Sequence, residues 1–403
     1  MTYDVAAVRA QFPALSSGVA HFDGPGGTQT PRPVIDAVAA ALAAPLSNRG
    51  TLTPGERNSN ALVAEGRSAV ADLLAADPAG VVFGRSATQL TYDFSRALAK
   101  TWAPGDEVVV SRLDHDSNVR PWIQAAGTAG AVVRWADFDP ETGELTLDHL
   151  RAVLSERTRL VAVTAASNLI GTCPDIPGIA RLVHDTGALL YVDGVHYTAH
   201  AAVDVGALGA DLYVCSSYKF FGPHLGMLAG RVELLETLSP DKLLPSTNVV
   251  PERFELGTLP YELLAGVRAA VDFLAGIGKA GSWAAGRRDG LVAAARLVEA
   301  HEDALRRRIE DGLAEFEGIT VHSRARRRTP TLLLTIEGRS SQDAYRYLAE
   351  RDVHAPAGSF YAIETSRRLG LGEGGGLRVG LAPYNDADDV DRLLQGLAEF
   401  LKS

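Results

Sequence analysis

Residues 188–222, ALLYVDGVHYTAHAAVDVGALGADLYVCSSYKFFG, form the stretch that decides the fold. Residues 188–192 are continuously apolar, as in a strand buried on both faces of a parallel sheet, and this run ends at Asp193. A second apolar run, 212–215, ends at residues 216–219, SSYK. One strand–crossover–strand unit separates the two ends. Both therefore meet at the carboxyl edge of the sheet, where open α/β folds bind ligands.

Asp193 and Lys219 admit two interpretations. They could form an ordinary ion pair between neighbouring strands. They also match the groups that pyridoxal phosphate requires, a lysine that holds the aldehyde as an imine and a carboxylate that keeps the pyridine nitrogen protonated. A buried lysine loses its charge readily, so Lys219 could also carry a proton. The hydroxyls of Ser216 and Ser217 could bind a phosphate.

Two segments, VDGVH at 192–196 and DVGALGADLYVCSSYKFFGPHLG at 204–226, resemble the cofactor segment of a known family. This is the class V aminotransferase and cysteine desulfurase family, close to its selenocysteine lyase branch. The resemblance implies an α/β protein of the pyridoxal phosphate-dependent transferase fold type I. We expect an N-terminal segment (1–20) packing with the small domain and a large domain (21–265) with a mostly parallel seven-stranded sheet. A smaller C-terminal α/β domain (266–403) would follow.

The resemblance also implies catalytic and cofactor contacts. Lys219 would hold the cofactor, and Asp193 would contact its pyridine nitrogen. His115, in the segment LDHDSN, would stack on its ring and could shuttle protons. Asn168 and His196 would lie beside the phenolic oxygen.

Phosphate contacts are expected at a helix N-terminus, where unpaired amides and the helix dipole favour an anion. Ser86 and Gln89 form a capping box that predicts such a start. A helix with no ligand would carry the same cap. By the resemblance, the phosphate contacts are Ala87, Thr88, Ser216, Tyr218 and, from the other protomer, Thr258.

Three residues are implied to bind the substrate. Arg378, in LRVGLAPYND, would hold the α-carboxylate, a task suited to its planar fork of donors. It could instead pair with a structural acid. Asn168 would lie beside the same carboxylate, and Arg49 would reach the active site of the partner subunit. The resemblance therefore implies a homodimer with shared active sites.

The reaction is less determined than the cofactor. Desulfurases of this type carry a loop cysteine that stores sulfur as a persulfide, whereas the corresponding stretch here, PAGSFYA at 356–362, has no thiol. The leading hypothesis is C–S cleavage of a cysteine derivative by β-elimination. The alternatives are transamination or epimerisation, suggested by His196 where desulfurases usually have glutamine, and a catalytically silent regulatory role.

Composition narrows the class of protein. The 403 residues carry a net charge of -10, which argues against nucleic-acid binding. No segment resembles a signal peptide or a membrane span. Cys173 and Cys215 are too few for a disulfide framework and suit a reducing compartment. We expect a cytoplasmic enzyme with no metal ligands.

The C-terminal tail alternates predicted strands and helices. Its last helix is predicted to begin at Asn385, which suits an N-cap. The apolar residues of this helix recur at helical spacing, which predicts core packing. They are Val390, Leu393, Leu394, Leu397, Phe400 and Leu401.

Overall fold

The computed structural model describes residues 3–278 and 286–403. Its strands are β1 (Ala20–His21), β2 (Val81–Gly84), β3 (Glu107–Ser111), β4 (Val132–Ala136), β5 (Thr158–Thr164), β6 (Leu189–Asp193), β7 (Leu212–Ser216), β8 (Gly226–Gly230), β9 (Ile319–Val321), β10 (Thr331–Ile336), β11 (Val353–His354), β12 (Ala357–Gly358) and β13 (Gly376–Gly380). Its α-helices are α1 (Val5–Arg9), α2 (Arg32–Ala43), α3 (Pro54–Leu74), α4 (Ala87–Ala99), α5 (Arg120–Ala129), α6 (Leu147–Arg151), α7 (Ile176–Asp185), α8 (Val205–Leu208), α9 (Val232–Thr237), α10 (Tyr261–Gly278), α11 (Arg287–Ala314), α12 (Ser341–Ala349), α13 (Ile363–Arg368) and α14 (Ala387–Lys402). None of the helices in these two ranges combines the length and apolar character that a bilayer crossing needs.

A seven-stranded sheet in the order β2-β8-β7-β6-β5-β3-β4 forms the centre of the protein. The five strands β7, β6, β5, β3 and β4 run parallel to one another. β8 runs antiparallel to both β2 and β7. The predicted mostly parallel seven-stranded sheet is thereby confirmed.

Apolar side chains cover both faces of this sheet. Because successive strand residues point to opposite faces, Val108 and Val110 of β3 join one core while Val109 joins the other. The core that contains Val109 also contains Val70 of α3 and Ile179 of α7. Burial on both faces explains why the central strands are continuously apolar in sequence.

A second sheet, of order β12-β13-β10-β9, is antiparallel throughout. Its core includes Leu334 of β10 and Val390 and Leu397 of α14, so the predicted apolar stripe of the last helix is confirmed as core packing. The predicted N-cap is wrong by one residue. Asp386 caps α14, while the Asn385 amide accepts the N–H of Ala382.

The N-terminal segment is joined to the C-terminal part of the chain by β1 and β11. These two short strands pair in parallel, with Ala20 opposite Val353 and His21 opposite His354. The side chain of Asn385 donates to the backbone oxygen of His21 at 2.9 Å. This pairing brings residues 20–23 next to β13.

A buried ion pair fixes the loop before α10 to the sheet. Both terminal nitrogens of Arg67 donate to the Glu255 carboxylate, at 2.8 and 2.7 Å, and the Phe83 N–H donates to the same carboxylate at 2.9 Å. Glu255→Ala should lower the free energy of unfolding by about 3–5 kcal/mol, because it removes both carboxylate hydrogen bonds of a buried guanidinium and leaves it only the Glu252 carboxylate, 3.9 Å away, as a counter-charge within the described ranges. Denaturant titration measures this loss. Glu373→Ala, which breaks the exposed pair with Arg367, is the control and should cost below about 1 kcal/mol. Equal losses would contradict the prediction.

Candidate active site

A cavity of about 630 Å³ opens at the carboxyl edge of the large sheet. Thr164, Asp193 and Ser216 stand at the ends of β5, β6 and β7 and all line it. In the parallel register Thr164 lies opposite Asp193, and β7 continues two residues beyond Val214, the partner of Asp193, to Ser216. The cavity therefore lies where the two apolar runs predicted a ligand site.

Ten of the twelve residues singled out from sequence line this cavity within a single chain. They are Ala87, Thr88, His115, Asn168, Asp193, His196, Ser216, Tyr218, Lys219 and Arg378. The other two do not line it. Arg49 donates to Asn60 at 2.8 Å and pairs with Glu252, and Thr258 lies in an exposed loop.

Lys219 is buried in the cavity wall, where its ammonium group donates to the backbone oxygen of Pro25. The pKa of Lys219 is lowered to about 7, mainly by burial and also by the nearby positive charge of Arg378, while Asp193 opposes both effects. A substantial fraction of Lys219 is therefore the neutral amine at physiological pH. A neutral amine is the form that attacks an aldehyde.

Asp193 is the carboxylate that faces Lys219. Burial raises the pKa of Asp193 to about 6, and the N–H of Val195, which donates to it at 2.9 Å, and the charge of Lys219 both act against this rise. The group remains mostly ionised at neutral pH. Asp193 can therefore accept a hydrogen bond from a protonated ring nitrogen of a ligand.

Loading of the cofactor onto the apoprotein should depend on pH through Lys219. Because the lysine reacts when neutral, and its pKa is lowered from 10.5 to about 7, the loading rate should rise about tenfold per pH unit below 7 and level off above it. Stopped-flow absorbance after mixing with pyridoxal phosphate measures the rate. In Arg378→Gln the midpoint should move to higher pH. A rate that keeps rising up to pH 9 in the unaltered protein would contradict the assignment.

The loop that carries His115 is held by a buried polar network. The Ser111 hydroxyl and the Asn118 amide both donate to the Asp114 carboxylate, the latter at 2.6 Å. The Trp122 indole N–H donates to Asn118 at 3.0 Å. Because every member is buried, the network fixes where the loop leaves β3.

His115 itself is neutral and oriented. The Ser117 N–H donates to its Nδ1 at 3.1 Å, so the ring proton lies on Nε2. The pKa of His115 is lowered to about 4, mainly by burial and also by the charges of Lys219 and Arg378, against the opposing effect of Asp116. The ring is thus a hydrogen-bond donor at Nε2 and carries no charge.

The start of α4 forms the expected anion site. The Ser86 hydroxyl accepts the N–H of Gln89 at 3.1 Å, as predicted, but the Gln89 side chain accepts from Arg85 and not from Ser86. Only half of the capping box is therefore present. A Cβ at Gly226 would lie 2.3 Å from the Ser86 backbone, so glycine there permits the close approach of β8 to this helix start.

Tyr218 and Ser216 line the cavity, whereas Ser217 does not. The Ser217 hydroxyl donates to the backbone oxygen of Pro223, so the suggestion that it binds phosphate is wrong. The ring of Tyr218 stacks on His224, with ring centres 4.8 Å apart. This stack keeps the phenol at the cavity wall.

His196 lies deep in the cavity. Its Nε2 is 2.9 Å from the Thr329 hydroxyl and 3.0 Å from that of Thr331, so only Nδ1 remains for a ligand. Burial lowers the pKa of His196 well below its ordinary value, and His200 and Lys219 add to the effect. The ring is therefore neutral.

Arg378 enters the cavity from β13 of the smaller sheet. It donates to the backbone oxygen of Asn168 at 3.0 Å, and its guanidinium carbon lies 3.6 Å from the centre of the Phe360 ring. Its Nε and the Asn168 Oδ1 are buried, and no hydrogen-bond partner is found for either among residues 3–278 and 286–403. Burial lowers the pKa of Arg378 to about 9, against the opposing charge of Asp23. An Nε donor without a partner on this buried guanidinium indicates that Arg378 binds an anionic ligand.

Two residues of the segment 356–362, Phe360 and Tyr361, line the cavity. Phe360 and Tyr361 both have positive φ angles, 50° and 60°, which are strained for residues other than glycine. Two hydrogen bonds hold this conformation: Asn168 donates to the Phe360 oxygen at 3.0 Å and the Asp116 N–H donates to the Tyr361 oxygen at 2.7 Å. Two aromatic side chains in a held, strained conformation therefore form this part of the cavity wall.

Both cysteines lie away from this cavity. Cys173 and Cys215 are buried, and burial raises the pKa of each thiol to about 12. Neither residue lines the cavity. Because the thiolate is the reactive form, neither side chain is set up as a nucleophile.

Sequence reasoning missed several lining residues. Tyr92 lies one helical turn after Thr88 on α4, so its spacing could have identified it. Arg120, paired with Asp116 at 2.7 Å, also lines the cavity.

The residues present fit pyridoxal phosphate. A helix N-terminus with free amides suits the phosphate, Lys219 suits the aldehyde and Asp193 suits the ring nitrogen. The unpaired buried atoms of Arg378 and Asn168 are partners for further polar groups. The cavity combines these features with an apolar wall, as cofactor sites do.

Known proteins resemble this chain along almost all of its length. The family model described as aminotransferase class-V matches residues 20–393. A probable cysteine desulfurase of Pseudomonas aeruginosa and the aminotransferase-like protein FGM3 of Gibberella zeae are each 32% identical to it, with 98% of both chains covered. The crystal structure of the cysteine desulfurase CsdA of Escherichia coli, in an S-sulfonic acid form, superposes with a TM-score of 0.87 at 27% identity. That match covers 100% of this chain and 99% of CsdA.

Proposed function

This chain belongs to the class V aminotransferase family, and from that premise we propose that it cleaves the C–S bond of cysteine derivatives by β-elimination. It is a pyridoxal phosphate-dependent enzyme of the cysteine desulfurase-like group. The observation that carries the proposal is the lining of the cavity. Phe360 and Tyr361 belong to it and neither cysteine does, and burial raises the pKa of both thiols.

The proposed reaction needs no protein thiol and no oxidant. Overall, a proton leaves the α-carbon, its electron pair becomes the new Cα–Cβ double bond, and sulfur departs with the electrons of the C–S bond. The sulfur takes up a proton to become a thiol. The released enamine takes up water and gives pyruvate and ammonium.

Lys219 and Asp193 would carry the central steps. When bound, pyridoxal phosphate supplies an electron sink that makes the α-proton of an amino acid acidic. Lys219, with a pKa of about 7, can hold the cofactor and then take the α-proton as a neutral amine. Asp193, ionised at neutral pH, would keep the ring nitrogen protonated.

Three further residues would orient the substrate. Among the described residues the Nε of Arg378 and the Oδ1 of Asn168 lack partners, and Arg378 donates to the Asn168 backbone oxygen, so both residues can contact the substrate α-carboxyl and amino groups. His115 is a donor at Nε2, so it can hydrogen-bond the sulfur as negative charge develops there. The Phe360 ring covers one face of the Arg378 guanidinium, which leaves its in-plane donors for the carboxylate.

Product analysis with purified holoenzyme tests the proposal. S-alkyl and S-aryl cysteines should give equal amounts of pyruvate, ammonium and free thiol, and cysteine should give pyruvate and sulfide. Alanine as the product of cysteine would indicate desulfuration instead. A keto acid that retains sulfur would indicate transamination, and loss of optical rotation alone would indicate epimerisation. Each of these three outcomes would overturn the proposal.

A variant without thiols is the matched control. Cys173→Ala with Cys215→Ala should retain the thiol-releasing activity, because neither side chain lines the cavity. Loss of turnover in a variant that still holds the cofactor would point to a thiol relay and against elimination.

We also propose that the enzyme is a homodimer with shared active sites. Arg49 and Thr258 lie outside the cavity of their own chain, in loops that the Arg49–Glu252 ion pair joins. These loops expose large apolar side chains, among them Leu52 and Leu244, which are 84% and 96% exposed. Such a concentration of exposed apolar groups favours burial against a second copy.

Light scattering and subunit mixing test the dimer. Leu52→Asp with Leu244→Asp should shift the protein towards monomer. A mixture of Lys219→Ala and Arg49→Ala protomers should regain activity, because a mixed dimer contains one site with both residues intact. A monomeric wild-type protein would refute the proposal. The cytoplasmic location remains a prediction.

A further inference from the structure

Three metal-ligating side chains meet where β1 pairs with β11. His21, Asp23 and His354 each place one ligand atom within 4.8 Å of the other two. His21 and His354 are direct partners in the parallel register, and Asp23 follows two residues after His21, on the same face of an extended chain. Backbone pairing therefore brings the three together.

The carboxylate of this cluster is incompletely satisfied. Asp23 Oδ1 is buried and, within the described ranges, accepts no hydrogen bond. His21 Nδ1 lies 3.5 Å away, and Gln29 Nε2 lies 3.4 Å from that same nitrogen. A buried carboxylate oxygen without a donor is costly unless a cation reaches it.

We propose that His21, Asp23 and His354 bind a divalent cation of the Zn²⁺ class. Two imidazoles and one carboxylate are the ligands that Zn²⁺ takes in three-residue sites, where a water fills the fourth position. A tetrahedral ion at roughly 2.0–2.2 Å from each ligand atom requires these atoms to approach one another by about 1 Å. Side-chain rotation of the partly exposed His354 and Asp23 can supply that change.

The site is accessible and distinct from the cofactor cavity. None of its three residues lines that cavity, and Asp23 instead lines a neighbouring cavity of about 460 Å³ together with Tyr218 and Arg378. An ion can therefore enter from solvent. Arg378, whose pKa Asp23 raises, is the positive charge that opposes binding, and a bound cation would compete with it for the Asp23 carboxylate.

The cluster changes one expectation from sequence, which was that the chain has no metal ligands. His354 is far from HFD at 21–23 in sequence, so no spacing motif connects them. The proposal goes beyond the elimination reaction and does not depend on it. It implies that a metal ion joins residues 21–23 to β11 beside the entrance of the active site.

Metal binding to the purified holoenzyme tests the proposal directly. Zn²⁺ titration with dialysis and elemental analysis should give one ion per chain, and Co²⁺ should show the visible ligand-field bands of imidazole coordination. His21→Gln and His354→Asn should each weaken Zn²⁺ binding at least about 100-fold. Losing a metal ligand costs more affinity than losing a residue that only hydrogen-bonds a ligand, which itself costs about 10–100-fold. Retained cofactor absorbance shows that the variants fold. Asp23→Asn, which keeps the side-chain shape, is the replacement should a histidine variant fail to fold.

Two controls separate this site from other metal binding. His184→Asn removes an imidazole that lies 3.0 Å from the Asp211 carboxylate but belongs to no group of three metal-ligating side chains among the described residues, and it should leave Zn²⁺ binding unchanged. Lys219→Ala should bind Zn²⁺ as the wild type does, which excludes chelation through the cofactor and separates this test from that of the elimination. Substoichiometric binding to the wild type, or stoichiometric binding to the His21→Gln/His354→Asn double variant, would overturn the proposal.

Discussion

Lys219→Ala is expected to lower turnover of S-substituted cysteines by about 10⁴-fold or more, because the variant loses both the amine that holds the cofactor and the base for the α-proton. His115 cannot replace this amine as the base, since it is neutral and its nitrogen that is free for a ligand carries the proton. The visible absorption band of the holoenzyme should disappear as well. Thiol release and an absorbance spectrum measure the two effects.

Lys100→Ala is the control for this prediction. Lys100 pairs with Asp241 at 2.6 Å on the surface, far in sequence from the site, and its loss should change neither turnover nor spectrum. A Lys219→Ala protein with an unchanged absorption band would contradict the cofactor assignment. An unchanged band together with unchanged turnover would contradict every catalytic role given to Lys219.

Arg378→Lys is expected to lower kcat/KM by about 10²–10³-fold, which corresponds to the roughly 2–5 kcal/mol lost when a buried charged hydrogen-bond partner is removed. The substitution keeps the positive charge but removes the planar fork, including the Nε that is buried without a partner among the described residues. Most of the effect should be in KM. Steady-state kinetics with one S-substituted cysteine measures it.

The matched control is Arg339→Lys. Arg339 also stacks on a phenylalanine, with its guanidinium carbon 5.0 Å from the centre of the Phe400 ring, but it lies outside the cavity. Its replacement should leave kcat/KM unchanged. If Arg378→Lys behaved like Arg339→Lys, Arg378 would be a structural residue and the carboxylate would bind elsewhere.

Local patterns predicted the large sheet well because burial on both faces forces continuous apolar runs. The ends of two such runs located Asp193 and Lys219 at one edge, where the structure also has them. Local patterns predicted the position of the last helix cap less well. Asn385 and Asp386 both suit an N-cap, and the choice was made by tertiary contacts, since Asn385 also donates to the His21 oxygen.

The sequence by itself determined the α/β class and the placement of Asp193 and Lys219, because these depend on continuous apolar runs and on the residues next to strand ends. The resemblance carried by its motifs supplied most other side chains of the candidate site. Only the tertiary structure decided which groups are neutral or unpaired, because burial and neighbouring charges come from distant segments. It placed Phe360 over Arg378 and turned the Ser217 hydroxyl away from the cavity. It also brought His354 to His21 and Asp23, a juxtaposition that follows from the pairing of β1 with β11.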